Sequence, residues 1–470
     1  MLDKFIDREE EIEALNKRFA GKKAEFVVIY GKRRVGKTEI IKKFFEKLPH
    51  IYFLADKREI KDQLWEISQR VGEFFNDSII SKTGFNDWIT LFEYLKRKNE
   101  HFVFVIDEFP YLIDAERAIT SLFQNGWDEY LSNSKIFLIL CGSSISMMEN
   151  EVLGYKSPLY GRRTGQMEIK PFRFKEAIKF FPHLSFKENI EVFSVLGGVP
   201  AYLKQFDESK NLWENISENI LKKDSFLYNE VEFILREELK EPRRYFSILK
   251  EIAMGRTKVN EIAQSMDIER NILSRYLSIL EELKILKREI PITEEKRYKS
   301  RKGIYKIDDN YFKFWFKFVY PNKGYVEEGL IDYILEKKIK PYFNAYVSFV
   351  FEEICKETLW LLNKEKKLPF MFDSIGSWWH GENEIDIVAF NKKNKSIIFS
   401  EVKWQEKKMG KDAYDDLLEK KEKVKWKYDD RKEYFIFFSK NGFTSSMKRI
   451  AEKENIRLYD LGDIREIITG

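Results

Sequence analysis

Cysteine and histidine are scarce in this sequence. Cys141 and Cys355 are the two cysteines, and His50, His101, His183 and His380 are the four histidines, in 470 residues. They do not cluster, which argues against a structural zinc site, since such a site needs four grouped ligands. Two isolated thiols also exclude a disulfide-stapled scaffold and fit a reduced compartment. No apolar run reaches the roughly 20 residues that a membrane-crossing helix needs. Met1-Leu2-Asp3-Lys4 leads straight into a charged segment, so no secretory leader is expected. A cytoplasmic location without membrane association is therefore expected. Neither sign of charge dominates: 83 Lys and Arg stand against 78 Asp and Glu, a net charge of +5. A solvated mixed-charge surface accounts for most of that sum, which alone does not designate a nucleic-acid binder. What is present is a globular composition, 43% hydrophobic and 34% charged, long enough for two to four domains.

The first part of the chain alternates short apolar runs with longer amphipathic stretches. Residues 25–30, 51–55, 102–106 and 136–141 are β-rich and of strand length, and each precedes a helical pattern. That alternation predicts a parallel sheet with crossover helices. From Lys170-Pro171-Phe172 to about Leu239 only helices are predicted, with breaks at Pro182 and at Gly197-Gly198-Val199-Pro200. Helices at 245–254, 259–266 and 270–283 come next, then a basic hairpin up to Tyr305. After the aromatic segment 311–320, the last part reads helix, strand, strand, helix, strand at 347–361, 384–390, 396–403, 413–423 and 434–438.

Gly31-Lys32-Arg33-Arg34-Val35-Gly36-Lys37-Thr38 fits the pattern G-x-x-x-x-G-K-S/T throughout. It follows a predicted strand and opens a predicted helix, the context this phosphate-binding loop requires. Its glycines let the backbone wrap phosphates, and the helix N-terminus points free N–H groups at them. Lys37 is then expected to reach the β- and γ-phosphates of ATP or a close nucleoside triphosphate, and Thr38 to offer its hydroxyl to Mg²⁺. The run 102–106 ends in Asp107-Glu108. Asp107 at a strand tip is a candidate for the magnesium shell, and Glu108 for polarising the attacking water.

With the loop and Asp107-Glu108 stand several further motifs: Phe5-Ile6-Asp7-Arg8-Glu9, Cys141-Gly142-Ser143-Ser144, Ser157-Pro158-Leu159-Tyr160-Gly161-Arg162-Arg163 and Gly197-Gly198-Val199-Pro200. In this order they resemble the archaeal ATPase family of P-loop proteins, related to AAA+ and STAND NTPases, over nearly the whole chain. The resemblance implies an ATPase core with a helical lid. It implies that Asp7 and Arg8 lie near the adenine base and that Ser143 or Ser144 is a polar sensor beside the γ-phosphate. Gly198 and Pro200 would shape the lid. Arg162 and Arg163, with no obvious carboxylate nearby in sequence, are candidates for an arginine finger supplied across a self-associated assembly; ordinary surface arginines are the alternative.

Three helices and a basic hairpin are the plan of a winged helix-turn-helix, with its turn at Ser265-Met266-Asp267-Ile268. Ile272, Leu273, Leu277 and Leu280 form the apolar face of the third helix. Arg270, Asn271, Ser274 and Arg275 are expected to face outward near its start, where base edges are read. Lys296, Arg297, Lys299, Arg301 and Lys302 would grip phosphates from the wing. Packing against other domains, or dimerisation, is the alternative role.

Near the C-terminus Asp386 lies on one predicted strand and Glu401-Val402-Lys403 on the next. The two-residue strand period puts Glu401 and Lys403 on one face. Two carboxylates, Asp386 and Glu401, can then hold a divalent metal while Lys403 serves an attacking water. This resembles the PD-(D/E)xK restriction-endonuclease-like fold, although no proline directly precedes Asp386. Glu352 matches the helical acid of some relatives, and Trp378, Trp379 and His380 are expected to crowd the approach, as packing or as a stacking surface for substrate. The expected α/β architecture is thus a P-loop ATPase core (1–170), a helical lid (171–240), a winged helix (241–310) and a nuclease-like domain (311–470). An ATP- and Mg²⁺-dependent, DNA-directed protein is expected. The rival is a nucleotide-dependent switch or scaffold whose tail binds partners and cuts nothing.

Overall fold

Four apolar runs form strands: β1 (Glu25–Tyr30), β3 (Val103–Asp107) and β4 (Phe137–Gly142), buried along their whole length, and β2 (His50–Leu54), in which Ile51 and Phe53 are buried. Apolar residues on both faces of a strand demand cover on both faces, and that is the situation of a parallel sheet. The computed structural model describes residues 5–239, 241–295 and 300–470. It shows these strands parallel in the order β2-β3-β4-β1-β5, where β5 is Gly165–Glu168. Alternate residues feed two separate cores. Phe26, Val28, Phe104, Ile106, Leu138 and Leu140 pack on one side. Val27, Ile29, Val105, Ile139 and Cys141 pack on the other, with Ile40, Ile41 and Phe44 of the helix Lys37–Phe45. The carboxyl ends of β1, β3 and β4 carry Tyr30, Asp107 and Gly142, the edge at which open α/β sheets bind ligands.

The limits of β2, β3 and β4 differ by one residue from those read in the sequence. The fifth strand was not predicted. Gly165-Gln166-Met167-Glu168 holds no β-branched residue, and the strand is only partly covered at the sheet edge. The periodicity signal is correspondingly weak there.

The chain divides into two compact units, Met1–Pro171 with Val199–Ala201, and Phe172–Gly198 with Tyr202–Gly470. In the second unit, helices include Phe186–Leu196, Leu212–Asn219 and Phe226–Glu238. The helices Pro242–Ala253, Val259–Ser265 and Arg270–Glu282 follow, then an antiparallel pair, β6 (Leu286–Glu289) and β7 (Ile304–Ile307). The aromatic segment is helical over Asn310–Phe314 and continues as a π-helical stretch, Trp315–Val319. It is buried because its polar tips find partners: the Tyr311 hydroxyl donates to Leu227 O at 2.6 Å and Trp315 Nε1 to Tyr228 O at 2.8 Å.

The helix Lys340–Lys364 precedes a mixed sheet of β8 (Ser374–His380), β9 (Asn383–Asn391), β10 (Ser396–Lys403), β11 (Lys432–Ser439) and β12 (Arg457–Asp460). Its order is β12-β11-β10-β9-β8, with β8, β9 and β10 antiparallel and β10, β11 and β12 parallel. Strand β8 was not predicted, and it carries Trp378, Trp379 and His380. They are strand residues: Trp378 joins the core beside Phe390 and Phe399, and Trp379 Nε1 donates to Lys302 O at 3.1 Å. Gly376 and an irregular register near it obscured the strand period. Among the described residues no helix is long and apolar enough to cross a membrane.

Candidate functional site

The loop after β1 is built by backbone constraints. A Cβ at Gly31 would lie 2.1 Å from the carbonyl oxygen of Ile169, so no side chain fits there. Gly36, with φ 91°, turns the chain into the helix Lys37–Phe45, and a Cβ at Gly36 would meet nothing within 4 Å. That left-handed conformation is costly for residues with a side chain. Arg34 also has positive φ, 68°, while Val35 is buried in the core. Lys37 folds back along the loop, and its ammonium donates to Gly31 O and Lys32 O, each at 2.9 Å. Burial holds its pKa below the ordinary lysine range, opposed by Cys141, Glu108 and Asp107.

Asp107, fully buried at the end of β3, is the hub of the site. Its Oδ2 accepts from Thr38 Oγ1 at 2.7 Å and from the Tyr52 hydroxyl at 2.9 Å. Its Oδ1 accepts from the backbone N–H of Glu108 at 2.9 Å. Burial and the Asp107 carboxylate push the Tyr52 phenol well above its usual range. Tyr52 was missed in the sequence. The available signal was a hydroxyl-bearing aromatic inside an apolar strand. Glu108 has φ 54° and is gripped by Ser143, whose Oγ lies 2.8 and 2.7 Å from its two carboxylate oxygens and whose N–H donates at 3.2 Å. Strands β3 and β4 are neighbours, so their ends bring the pair together.

Arg8 has its guanidinium 3.0 Å from Glu11 and donates to Lys170 O at 2.6 Å. Asp7 accepts from the Arg8 N–H at 3.1 Å. Arg162 has no carboxylate close by in sequence, but the fold supplies one. Asp128, far away in sequence, lies 3.1 Å from its guanidinium. Arg163 donates to Gln166 at 2.6 Å and lies 5.9 Å from the Tyr160 ring centroid. The loop fits a nucleoside triphosphate by its glycine cradle. The Thr38 hydroxyl with the Asp107 carboxylate is a donor set suited to Mg²⁺.

In the second unit β9 and β10 pair as far as Ile387 and Ser400. Beyond that point the Asp386 carboxylate replaces the ladder, and its Oδ2 accepts the Val402 N–H at 2.7 Å. Glu401, 2% exposed, has Oε1 2.5 Å from the Lys403 ammonium. Its Oε2 is buried without a hydrogen-bond donor, and Lys420 approaches it at 3.7 Å. Asp386, Glu401 and Lys403 therefore do come together. Burial, then Glu401, pushes Asp386 up to about 7. Burial, then Asp386, pushes Glu352 on the helix Lys340–Lys364 up to about 8. Among the described residues no group of three or more His, Cys, Asp or Glu is placed to hold a metal ion. The pair Asp386 and Glu401 leaves one buried carboxylate oxygen, Glu401 Oε2, without a hydrogen-bond donor, a feature that calls for an explanation.

Arg270, Asn271, Ser274 and Arg275 are all exposed on the helix Arg270–Glu282, and Leu273, Leu277 and Leu280 are buried, with Ile272 half-buried. No carboxylate lies within ion-pair distance of Arg270 or Arg275 among the described residues. Lys302 is tied to Glu294 at 2.6 Å and Arg301 is exposed. Lys296, Arg297 and Lys299 lie outside the described residues.

A carboxyl with a raised folded-state pKa is protonated in the folded chain and ionised in the unfolded one near neutral pH. The unfolded state then binds fewer protons, and stability falls as pH rises from about 5 to about 8. In chelator, the denaturation midpoint of the second unit is expected to drop over that window, and Asp386→Asn to flatten the profile. A wild-type midpoint that is level or rises with pH contradicts this placement.

An ATPase domain predominantly from Archaea matches residues 5–206. Archaeal and bacterial proteins of unknown function match at 315–422, and a domain of unknown function at 187–308. The uncharacterized protein MJECL04 of Methanocaldococcus jannaschii is 40% identical over 463 residues, 98% of this chain and 99% of its own. The Walker-type ATPase PABY2304 of Pyrococcus abyssi aligns with a TM-score of 0.50 at 21% identity, over 66% of this chain and 96% of that one. That likeness supports a shared P-loop NTPase fold. The ORC2 protein of Aeropyrum pernix aligns at a TM-score of 0.45 and 13% identity, over 70% and 97% of the two chains. The chain belongs to the family of the Methanocaldococcus jannaschii protein MJECL04, and its first unit is an archaeal-type P-loop ATPase domain.

Proposed function

We propose that the chain is a Mg²⁺-dependent ATPase directed to DNA, with a metal-dependent phosphodiester-cleaving site in its second unit. The observation that carries the first part is the continuous set Thr38–Asp107–Glu108–Ser143 beside the glycine cradle. Lys37 exchanges its bonds to Gly31 O and Lys32 O for the terminal phosphates, a contact strengthened by the low-dielectric surroundings. Thr38 and Asp107 would hold Mg²⁺, which would offset charge on the phosphate oxygens. Glu108 orients and deprotonates the attacking water. Ser143 occupies both oxygens of Glu108, so this carboxylate must be shared or released before it acts on water. Arg8 lies toward the base, and Arg162 or Arg163 acts as the finger, Arg162 after leaving Asp128.

Glu108→Gln is expected to keep nucleotide bound while turnover falls by about 10²–10⁴, the usual contribution of a positioned general base. Lys37→Ala is expected to lose nucleotide affinity itself. Steady-state phosphate release and fluorescent-nucleotide titration separate the two. Equal turnover in wild type and Glu108→Gln would remove Glu108 from the chemistry.

The DNA reading rests on a winged-helix arrangement of Pro242–Ala253, Val259–Ser265, Arg270–Glu282, β6 and β7. Arg270 and Arg275 stand exposed where a recognition helix meets base edges. The cleavage reading rests on the orphaned Glu401 Oε2 beside Asp386 and Lys403. In a restriction-endonuclease-like site the two acids hold the metal and Lys403 serves the water. The metal, when bound, lowers the pKa of water and shields the phosphate. That no group of three or more His, Cys, Asp or Glu among the described residues is placed to hold a metal ion favours a second reading: a nucleotide-dependent switch or scaffold that binds partners without cutting.

Asp386→Ala and Glu401→Ala are expected to lose Mn²⁺ binding, read by calorimetry, together with cleavage. Lys403→Ala should keep the metal and lose cleavage only. ATP hydrolysis should persist in the Lys403 variant. Mn²⁺ bound by Asp386→Ala as tightly as by wild type would leave only the switch-or-scaffold reading.

A further inference from the structure

We infer that the face carrying Lys313, Lys317 and Phe349 grips a single strand of nucleic acid beside the Asp386–Glu401 pair. This rests on the DNA-directed reading and names the form of nucleic acid. Lys313 and Lys317 project from Asn310–Phe314 and Trp315–Val319, segments otherwise dominated by buried aromatic residues. Nearby lysines of the unit are neutralised: Lys306 by Glu289, Lys323 by Glu232 and Lys356 by Glu353. Among the described residues neither Lys313 nor Lys317 has a carboxylate within ion-pair distance. Within the fold only the more distant Glu352 offsets Lys313, and burial disfavours the charged form of both lysines; a polyanion that meets them relieves that cost.

The neighbouring ring identifies the ligand further. The Lys313 ammonium lies 4.6 Å from the ring centroid of Phe349 and 5.5 Å from that of Tyr346. Tyr346 is buried, its hydroxyl bonded to Ser194 O and Asn310 O. Phe349, one turn on, is 53% exposed. A cation beside a free aromatic face suits a phosphate and an unstacked base together, the combination that holds single strands. A duplex keeps its bases inside, out of reach of this ring. Phe349 also precedes Glu352 by three residues, so both lie on one side of the helix. That helix packs against β9 and β10, the strands that carry Asp386 and Glu401. A strand held here runs beside the carboxylates.

The test is fluorescence anisotropy of fluorescein-labelled oligo(dT), and of a labelled duplex, with the full chain in chelator at several salt concentrations. Lys313→Gln with Lys317→Gln is expected to weaken oligo(dT) binding tenfold or more. It should also flatten the log–log salt slope by about 1.4, at about 0.7 per phosphate contact. Phe349→Ala is expected to weaken binding about tenfold without changing the slope. Lys317→Gln alone leaves the Lys313–Phe349 contact in place, guards against misfolding and should flatten the slope by about 0.7. Wild-type affinity and slope in all three variants overturn the inference. So does tighter binding of duplex that Phe349→Ala leaves unchanged. If Arg270→Ala with Arg275→Ala abolishes binding while these three do not, the DNA reading stands and this face is excluded. If wild type binds neither probe, both fail.

Discussion

The Asp107 carboxylate is the constraint around which the ATPase unit is organised. A carboxylate with no exposed surface is stable only when its oxygens are satisfied. Three donors meet that need: the Thr38 hydroxyl, the Tyr52 hydroxyl and the Glu108 N–H. They come from the helix after the loop, from β2 and from the residue after β3. One buried charge thus ties three parts of the sheet edge to a single geometry. Glu108 leaves β3 with positive φ and turns toward the end of β4, where Ser143 takes it. The strain of that turn is offset by three hydrogen bonds.

The second unit repeats the theme with a different outcome. Asp386 takes a backbone N–H where β9 and β10 separate, and Glu401 is left with one buried oxygen unsatisfied. At Asp107 the donors match the acceptors; at Asp386 and Glu401 they do not. Raised pKa values at Asp386 and Glu352 follow from the same shortage, since burial and mutual repulsion outweigh the lysines nearby. A shortage of cationic partners at buried carboxylates on β9, β10 and the helix Lys340–Lys364, and lysines without a close carboxylate at Lys313 and Lys317 on the aromatic segment, occur in the same unit. That pairing of opposite deficits is the physical basis for reading the unit as a phosphodiester-handling device.

Legibility in the sequence followed locality. The phosphate-binding loop is contiguous, so its glycines, Lys37 and Thr38 could be named and placed. Asp386 and Glu401-x-Lys403 were legible because strand period alone puts Glu401 and Lys403 together. Contacts between distant segments were not legible: Tyr52 on Asp107, Ser143 across both oxygens of Glu108, Asp128 on Arg162, Lys420 near Glu401. None has a spacing rule, because each depends on which strands lie side by side. Strand β5 was missed as short, polar and at an edge, and β8 because Gly376 interrupts its period. The helices of the three-helix element were read closely, since their apolar faces recur at regular spacing.

The central claim is that Asp107 couples Thr38 and the divalent ion to nucleotide binding. It is tested most directly by titrating a fluorescent ATP analogue into wild type and Asp107→Asn, with and without Mg²⁺. Asparagine keeps the shape and the acceptor oxygen but removes the charge. The account predicts that Mg²⁺ tightens binding to wild type at least tenfold and has little effect on Asp107→Asn, whose Mg²⁺-free affinity stays within a few-fold of wild type. An equal Mg²⁺ enhancement in the two proteins would contradict it.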